Sequence, residues 1–198
     1  DYLENASGDH IRLSVPHGKD IPVEGLDIDH SGLVNPPLDG SSINIVIDSN
    51  SARLALLEPF LAWNGHDFLE MPVLLKAQVK CTTDHISQAV PWLSFRGHLD
   101  KISNNTYIGA TNAFTKNPGT GLNVLTNNAE EILLPDLARY YKAHQIPWVV
   151  IGDENFGEGS SREHAAMQPR HLGAKAIIVR SFARIHETNL KKHGILPL

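Results

Sequence analysis

Two short apolar runs stand out in the last third of the chain, Trp148-Val-Val-Ile151 and Ala174-Lys-Ala-Ile-Ile-Val179. Each is too short for a stable helix and is bounded by glycine, proline or polar residues, so both are predicted as buried strands. The polar stretch from Ser160 to about His171 between them predicts a helix. After the second run, "SFARIHETNLKKHG" predicts another, with Ser181 as N-cap and Gly194 just past its end. The order β-loop-α-β-α implies a right-handed crossover between parallel strands. Ligands favour the loops at the carboxyl ends of such strands, and "GDENFGEGSS" and "RSFARIH" both fall there.

Upstream the pattern is weaker. Glu70–Lys80 alternates as a strand and marks the start of the compact region. Ile132, Leu133, Leu137, Tyr140 and Tyr141 recur at helical spacing, with Pro135 marking a start or kink. Pro91 breaks any long helix in its neighbourhood, and "TYIGATNAFTKNPGTGLN" reads as loop. "SARLALLEPFLAWNG" reads as a short helix closed by Gly65. Residues 1–50 are rich in Gly, Pro, Asp and Ser, so an extended wrapping linker is expected, with a short strand at Ile43–Ile47.

The 198 residues are enough for one ordinary domain, or a small one with a long linker, and 41% are apolar. The net charge of -5 and the lack of a basic stripe argue against a nucleic-acid surface. No apolar stretch approaches the roughly 18 residues of a membrane-spanning helix. The single Cys81 excludes an internal disulfide and cannot by itself form a zinc or iron–sulfur site. None of the eleven histidines has metal-ligand spacing. The chain starts at Asp1 and stops after "ILPL", which reads as a piece of a longer polypeptide cut short at its C-terminus.

Three readings compete for the turn after the first strand. As a phosphate loop, Gly152-x-x-x-x-Gly157 has Glu158 where lysine is needed. As a dinucleotide fingerprint, Gly157-x-Gly159 meets Arg162 in place of the third glycine. The third reading is a helix start that holds a carboxylate. Ser160-Ser161-Arg162-Glu163 matches a capping box, the glycines admit a ligand close to the backbone, and Arg162 offers a planar fork. One serine suffices for the cap, leaving the other for chemistry. His164 is not oriented towards Ser160, and G-x-S-x-G is absent, so a hydrolase elbow is unsupported. A serine acting as a base would need its alkoxide stabilised by helix N–H groups and the arginine. On the residues alone a simple cap and a site both stay open. Taken alone, Arg96 reads as a surface ion-pair residue, Asp84 as a turn cap and Cys81 as a small buried side chain.

"GDENFGEGSSREHAA", "PRHLGAKAII" and "SFARIHETNLKK" closely resemble the C-terminal swivel domain of the aconitase family, mitochondrial type. The likeness continues through "LLEPF", "KCTTDHIS", "PWLSFRGHLDKISNN" and "ARYYKAHQIPWVVIGDEN". It implies an α/β fold, a swivelling β/β/α domain like the isopropylmalate isomerase small subunit, over residues 51–198. Residues 1–50 would be the end of the catalytic body and the linker. The resemblance implies citrate–isocitrate isomerisation through cis-aconitate by dehydration and rehydration. A [4Fe–4S] cluster would act as Lewis acid, with ligands outside this chain and none in it. Ser160 matches the family's proton-abstracting serine and Asp84 an acidic active-site residue. Arg96, Ser161 and Arg162 match substrate-binding positions. The implied partner is the N-terminal body of the same polypeptide, in a monomeric protein of the mitochondrial matrix without nucleic-acid or membrane partners. Alternatives are a homoaconitase, a methylcitrate or methylisocitrate hydratase, or a non-enzymatic RNA-binding relative.

Overall fold

A computed structural model describes residues 2–18, 25, 27–126 and 130–198. The chain divides into two compact units, Asp1–Asn44 and Ile45–Leu198. In the first, β1 (Tyr2–Glu4) pairs antiparallel with β2 (His10–Arg12). The connecting turn is closed by the Asn5 side-chain oxygen, which accepts the Ser7 and Asp9 N–H groups at 2.9 Å each. No strand forms over 43–47, whose backbone has no partner strand to complete a ladder.

The second unit carries β3 (Val73–Lys76), α1 (Thr83–Ile86), α2 (Leu99–Ile102), β4 (Thr120–Leu122), β5 (Glu131–Leu133) and α3 (Leu134–Ala143). Then follow β6 (Trp148–Ile151), α4 (His164–His171), β7 (Ala174–Ile178), α5 (Arg184–Lys192) and β8 (Leu196–Pro197). Strands β3-β6-β7-β8 form one sheet in that order, and every pairing is parallel. β4 and β5 form a separate antiparallel pair. The α/β class is therefore present, with the expected helix between parallel neighbours. β6 and β7 are paired neighbours, with α4 between them in sequence.

Continuous burial of both faces explains the sheet. Leu74, Leu75, Trp148, Val150, Ala174 and Ile177 are buried in one continuous core with Leu137 and Tyr141 of α3 and Leu190 of α5. Burying such side chains stabilises by about 1.5–3 kcal/mol each. Trp148 stays in the core because its indole N–H donates to the Leu172 carbonyl at 2.8 Å. Pro135 sits in the first turn of α3, where its missing N–H costs no helical bond. α5 closes as expected before Gly194: the Gly194 N–H donates to the Lys191 carbonyl and the Ile195 N–H to that of Leu190.

Three local expectations are corrected. "SARLALLEPFLAWNG" is not helical. Pro59 interrupts it, and its carbonyls and N–H groups go to the domain instead. Ala55 N–H donates to Gly97 O at 2.9 Å, and Arg170 donates to Leu61 O at 2.8 Å. This segment runs extended along the domain to which it is bonded. The "TYIGATNAFTKNPGTGLN" stretch contains β4. α5 begins at Arg184, and Ser181 is not its cap: its hydroxyl accepts the Asn155 N–H at 2.8 Å, joining the two carboxyl-end loops.

Candidate active site

The loops leaving β6 and β7 are sewn together at the carboxyl end of the sheet. Phe156 N–H donates to Ser181 O and Ala183 N–H to Phe156 O, both at 3.0 Å. On its other side the same turn is tied to the segment before α1. Gly157 N–H donates to Cys81 O at 2.7 Å and Thr83 N–H to Glu158 O at 2.8 Å. The Lys80 ammonium also pairs with the Glu158 carboxylate. With both flanks held, Gly159 to Arg162 project into a cleft of about 360 Å³.

Two glycines make this path possible. Gly157 has φ +79°, and a Cβ there would collide with the His186 ring. Gly159 has φ +115°, and a Cβ would lie 2.9 Å from Thr83 Oγ1. Both conformations and both spaces exclude a side chain.

Ser160, Ser161 and Arg162 line the cleft. Among the described residues neither serine hydroxyl has a hydrogen-bond partner, and both serines are exposed. The expected capping box does not form. α4 starts at His164 behind Glu163, which makes no side-chain cap. The Glu163 carboxylate instead lies 3.1 Å from His193 Nε2. The serines are therefore freed from capping. The Arg162 guanidinium, 19% exposed, lies 2.6 Å from the Asp84 carboxylate and donates to the Ser87 carbonyl at 2.7 Å. Asp84, 65% exposed, thus reaches the site through Arg162 and does not itself line the cleft.

Arg96 is placed differently. It is exposed, follows the 3₁₀ turn Trp92–Phe95, and does not line the cleft. His164, the first residue of α4, donates from Nε2 to the Arg96 carbonyl at 2.9 Å. The backbone of Arg96 is thereby joined to the helix that follows the serine turn. Its guanidinium has no hydrogen bond or ion pair among the described residues.

Sequence reasoning missed the wall of the cleft that α5 supplies, including Arg184, His186 and Asn189. The available signal was "RIHETN", which follows the carboxyl end of the second buried strand. His186 is 2% exposed, and neither ring nitrogen has a partner. Burial lowers its pKa to about 4, so it is neutral near pH 7. It makes no hydrogen bond to Ser160, and among the described residues no histidine pairs with either serine of the turn. Burial raises the Cys81 thiol to about 12. Among the described residues no three His, Cys, Asp or Glu side chains converge to hold a metal.

Fold and site together define a small α/β domain with a serine- and arginine-bearing turn at the carboxyl ends of a parallel sheet. The chain belongs to the aconitase C-terminal domain family, whose model matches residues 71–198. It is 57% identical to a mitochondrial aconitate hydratase of Gracilaria gracilis over 198 residues, all of this chain and 25% of that protein. A probable mitochondrial aconitate hydratase of Dictyostelium discoideum is 52% identical with the same coverage, 100% and 25%. The mitochondrial aconitate hydratase of Saccharomyces cerevisiae is 53% identical, again over 100% of this chain and 25% of the relative. The chain therefore spans a quarter of the length of these relatives.

Proposed function

We propose that this chain is the swivel domain of a mitochondrial aconitate hydratase that isomerises citrate to isocitrate through cis-aconitate. The observation that carries the reading is the cleft: two serine hydroxyls without partners among the described residues, beside Arg162 at the turn after β6. A serine whose hydroxyl is engaged neither in a helix cap nor with a histidine is free to meet a substrate C–H. Ser160 is the base: it takes the proton from the carbon next to the departing hydroxyl and returns it on rehydration. Arg162 and Arg184, both lining the cleft, supply positive charge that favours the alkoxide. Ser161 donates a hydrogen bond to a substrate carboxylate. Arg162 offers it a charged donor, held in place by Asp84 and Ser87 O. Arg96 reaches a second carboxylate from the segment tied to α4.

The described residues do not fit an iron–sulfur cluster, since the lone cysteine is buried as a thiol and no ligand group converges. The [4Fe–4S] cluster is assigned to the N-terminal body of the same polypeptide, which also completes the substrate pocket of a monomeric enzyme. The names of the relatives favour citrate over homocitrate or methylcitrate, and over an RNA-binding role. Activity of the full-length protein on citrate, homocitrate and methylcitrate, measured side by side, tests the proposal. Highest kcat/KM on citrate is expected, and a clear preference for another tricarboxylate overturns it.

A further inference from the structure

A second and larger cleft, of about 910 Å³, opens at the amino end of the sheet. Pro147 and Gly173, which precede β6 and β7, form part of it, so it lies at the opposite end of these strands from Ser160. Lys142, Arg170, Lys175 and Lys192 line it, and none of its lining residues is an Asp or Glu. The gathering runs against the chain's overall charge of -5.

The cations are held by neutral groups. Arg170 donates to the carbonyls of His193 at 2.9 Å and Leu61 at 2.8 Å, and its guanidinium lies 5.2 Å from the centre of the Phe60 ring. The Lys175 ammonium sits 5.4 Å from the Phe68 ring centre. Lys142 lies 3.3 Å from His171 Nε2. The nearest acid to that pair is Asp100, which is already engaged by Arg139 at 2.8 Å and His171 at 3.0 Å. Among the described residues Lys192 has no carboxylate partner. Burial depresses the pKa of Lys142, Arg170 and Lys175, with Arg170 adding to the effect on Lys175. Asp100 partly offsets the effect on Lys142, whereas no acid does so for Arg170 or Lys175 among the described residues. Partly desolvated cations are costly, and a bound anion relieves that cost.

We propose that this cleft is a binding site for a polyphosphate anion, separate from the Ser160 cleft. Three of the four cations are lysines, point charges suited to phosphate, and the arginine fork is spent on carbonyls. The volume falls in the range of small-molecule sites, roughly 300–1,000 Å³, and Phe60, Trp63 and Phe68 give it aromatic walls.

The test is calorimetric titration of the full-length protein with sodium tripolyphosphate and, separately, ATP at low ionic strength. Tripolyphosphate is expected to bind, and saturating citrate should leave its affinity unchanged. The Lys142→Gln/Lys175→Gln double variant, and the exposed Lys192→Gln, should each weaken it, the double variant by about tenfold or more. ATP binding tighter than tripolyphosphate assigns the site to nucleotides, and equal affinity assigns it to the phosphate chain alone. Absence of binding, displacement by citrate, or unchanged affinity in folded variants overturns the proposal.

Discussion

The Arg162 guanidinium and the Asp84 carboxylate lie 2.6 Å apart, bridging the turn after β6 and the short helix α1. The pair holds the arginine beside the serines, while Ser87 O fixes it from the same side. Asp84 is mostly exposed, so its energetic contribution is modest and screened by salt. Asp84→Asn in the full-length enzyme is expected to raise KM for citrate about three- to tenfold, with a smaller change in kcat. Steady-state kinetics at two salt concentrations check this, and an unchanged KM would remove Asp84 from the site. Arg162→Lys keeps the charge and loses the planar fork, so its loss in kcat/KM should exceed that of Asp84→Asn.

Arg96 offers an exposed guanidinium without a partner among the described residues, on a backbone anchored by His164. If it grips a carboxylate directly, Arg96→Lys raises KM for citrate by about tenfold or more and leaves the protein's absorption spectrum intact. His164→Ala removes only the anchor to the carbonyl and should have a smaller effect of the same sign. Wild-type KM and kcat in the lysine variant would show that Arg96 does not touch substrate.

His186 makes stability depend on pH. Its ordinary pKa of 6.5 is lowered to about 4 by burial in the folded chain. The unfolded chain takes up the proton below about 6.5, and the folded chain resists until about 4. The unfolded state thus binds more protons in that window, and stability falls as pH falls through it. The contribution is complete above 6.5, and its loss on reaching pH 4 is on the order of 3 kcal/mol. His171, also lowered by burial, adds a loss of the same sign. Thermal unfolding from pH 7 to 4 should therefore show a shallower pH dependence in His186→Phe than in wild type. Parallel curves would mean that His186 is not buried as a neutral ring.

The parallel sheet was legible because β6 and β7 are buried through most of their length and read as continuous apolar runs between turns. The position of the serine turn followed from the same pattern. The start of α4 did not. Ser160 and Glu163 satisfy a local capping rule, but pairing of Gly157 with Cys81 and Glu158 with Thr83 holds the turn out of helical geometry. Those partners are distant in sequence and leave no periodic trace. "SARLALLEPFLAWNG" failed for the same reason: its bonds go to Gly97 and Arg170, and a window of local spacing cannot register either. Arg184 and His186 were hidden because only the folded loop contacts bring α5 against the turn.

In the proposed reaction Ser160, and not its neighbour, moves the substrate proton. The direct measurement is deuterium exchange from D₂O into citrate by the full-length wild type, Ser160→Ala and Ser161→Ala, prepared with equal cofactor content. Ser160→Ala should lose exchange by about 10²–10⁴-fold, the usual range for a positioned base. Ser161→Ala should lose about two- to tenfold, corresponding to one hydrogen bond of roughly 0.5–1.5 kcal/mol. Exchange within tenfold of wild type in Ser160→Ala would contradict the assignment and place the base elsewhere.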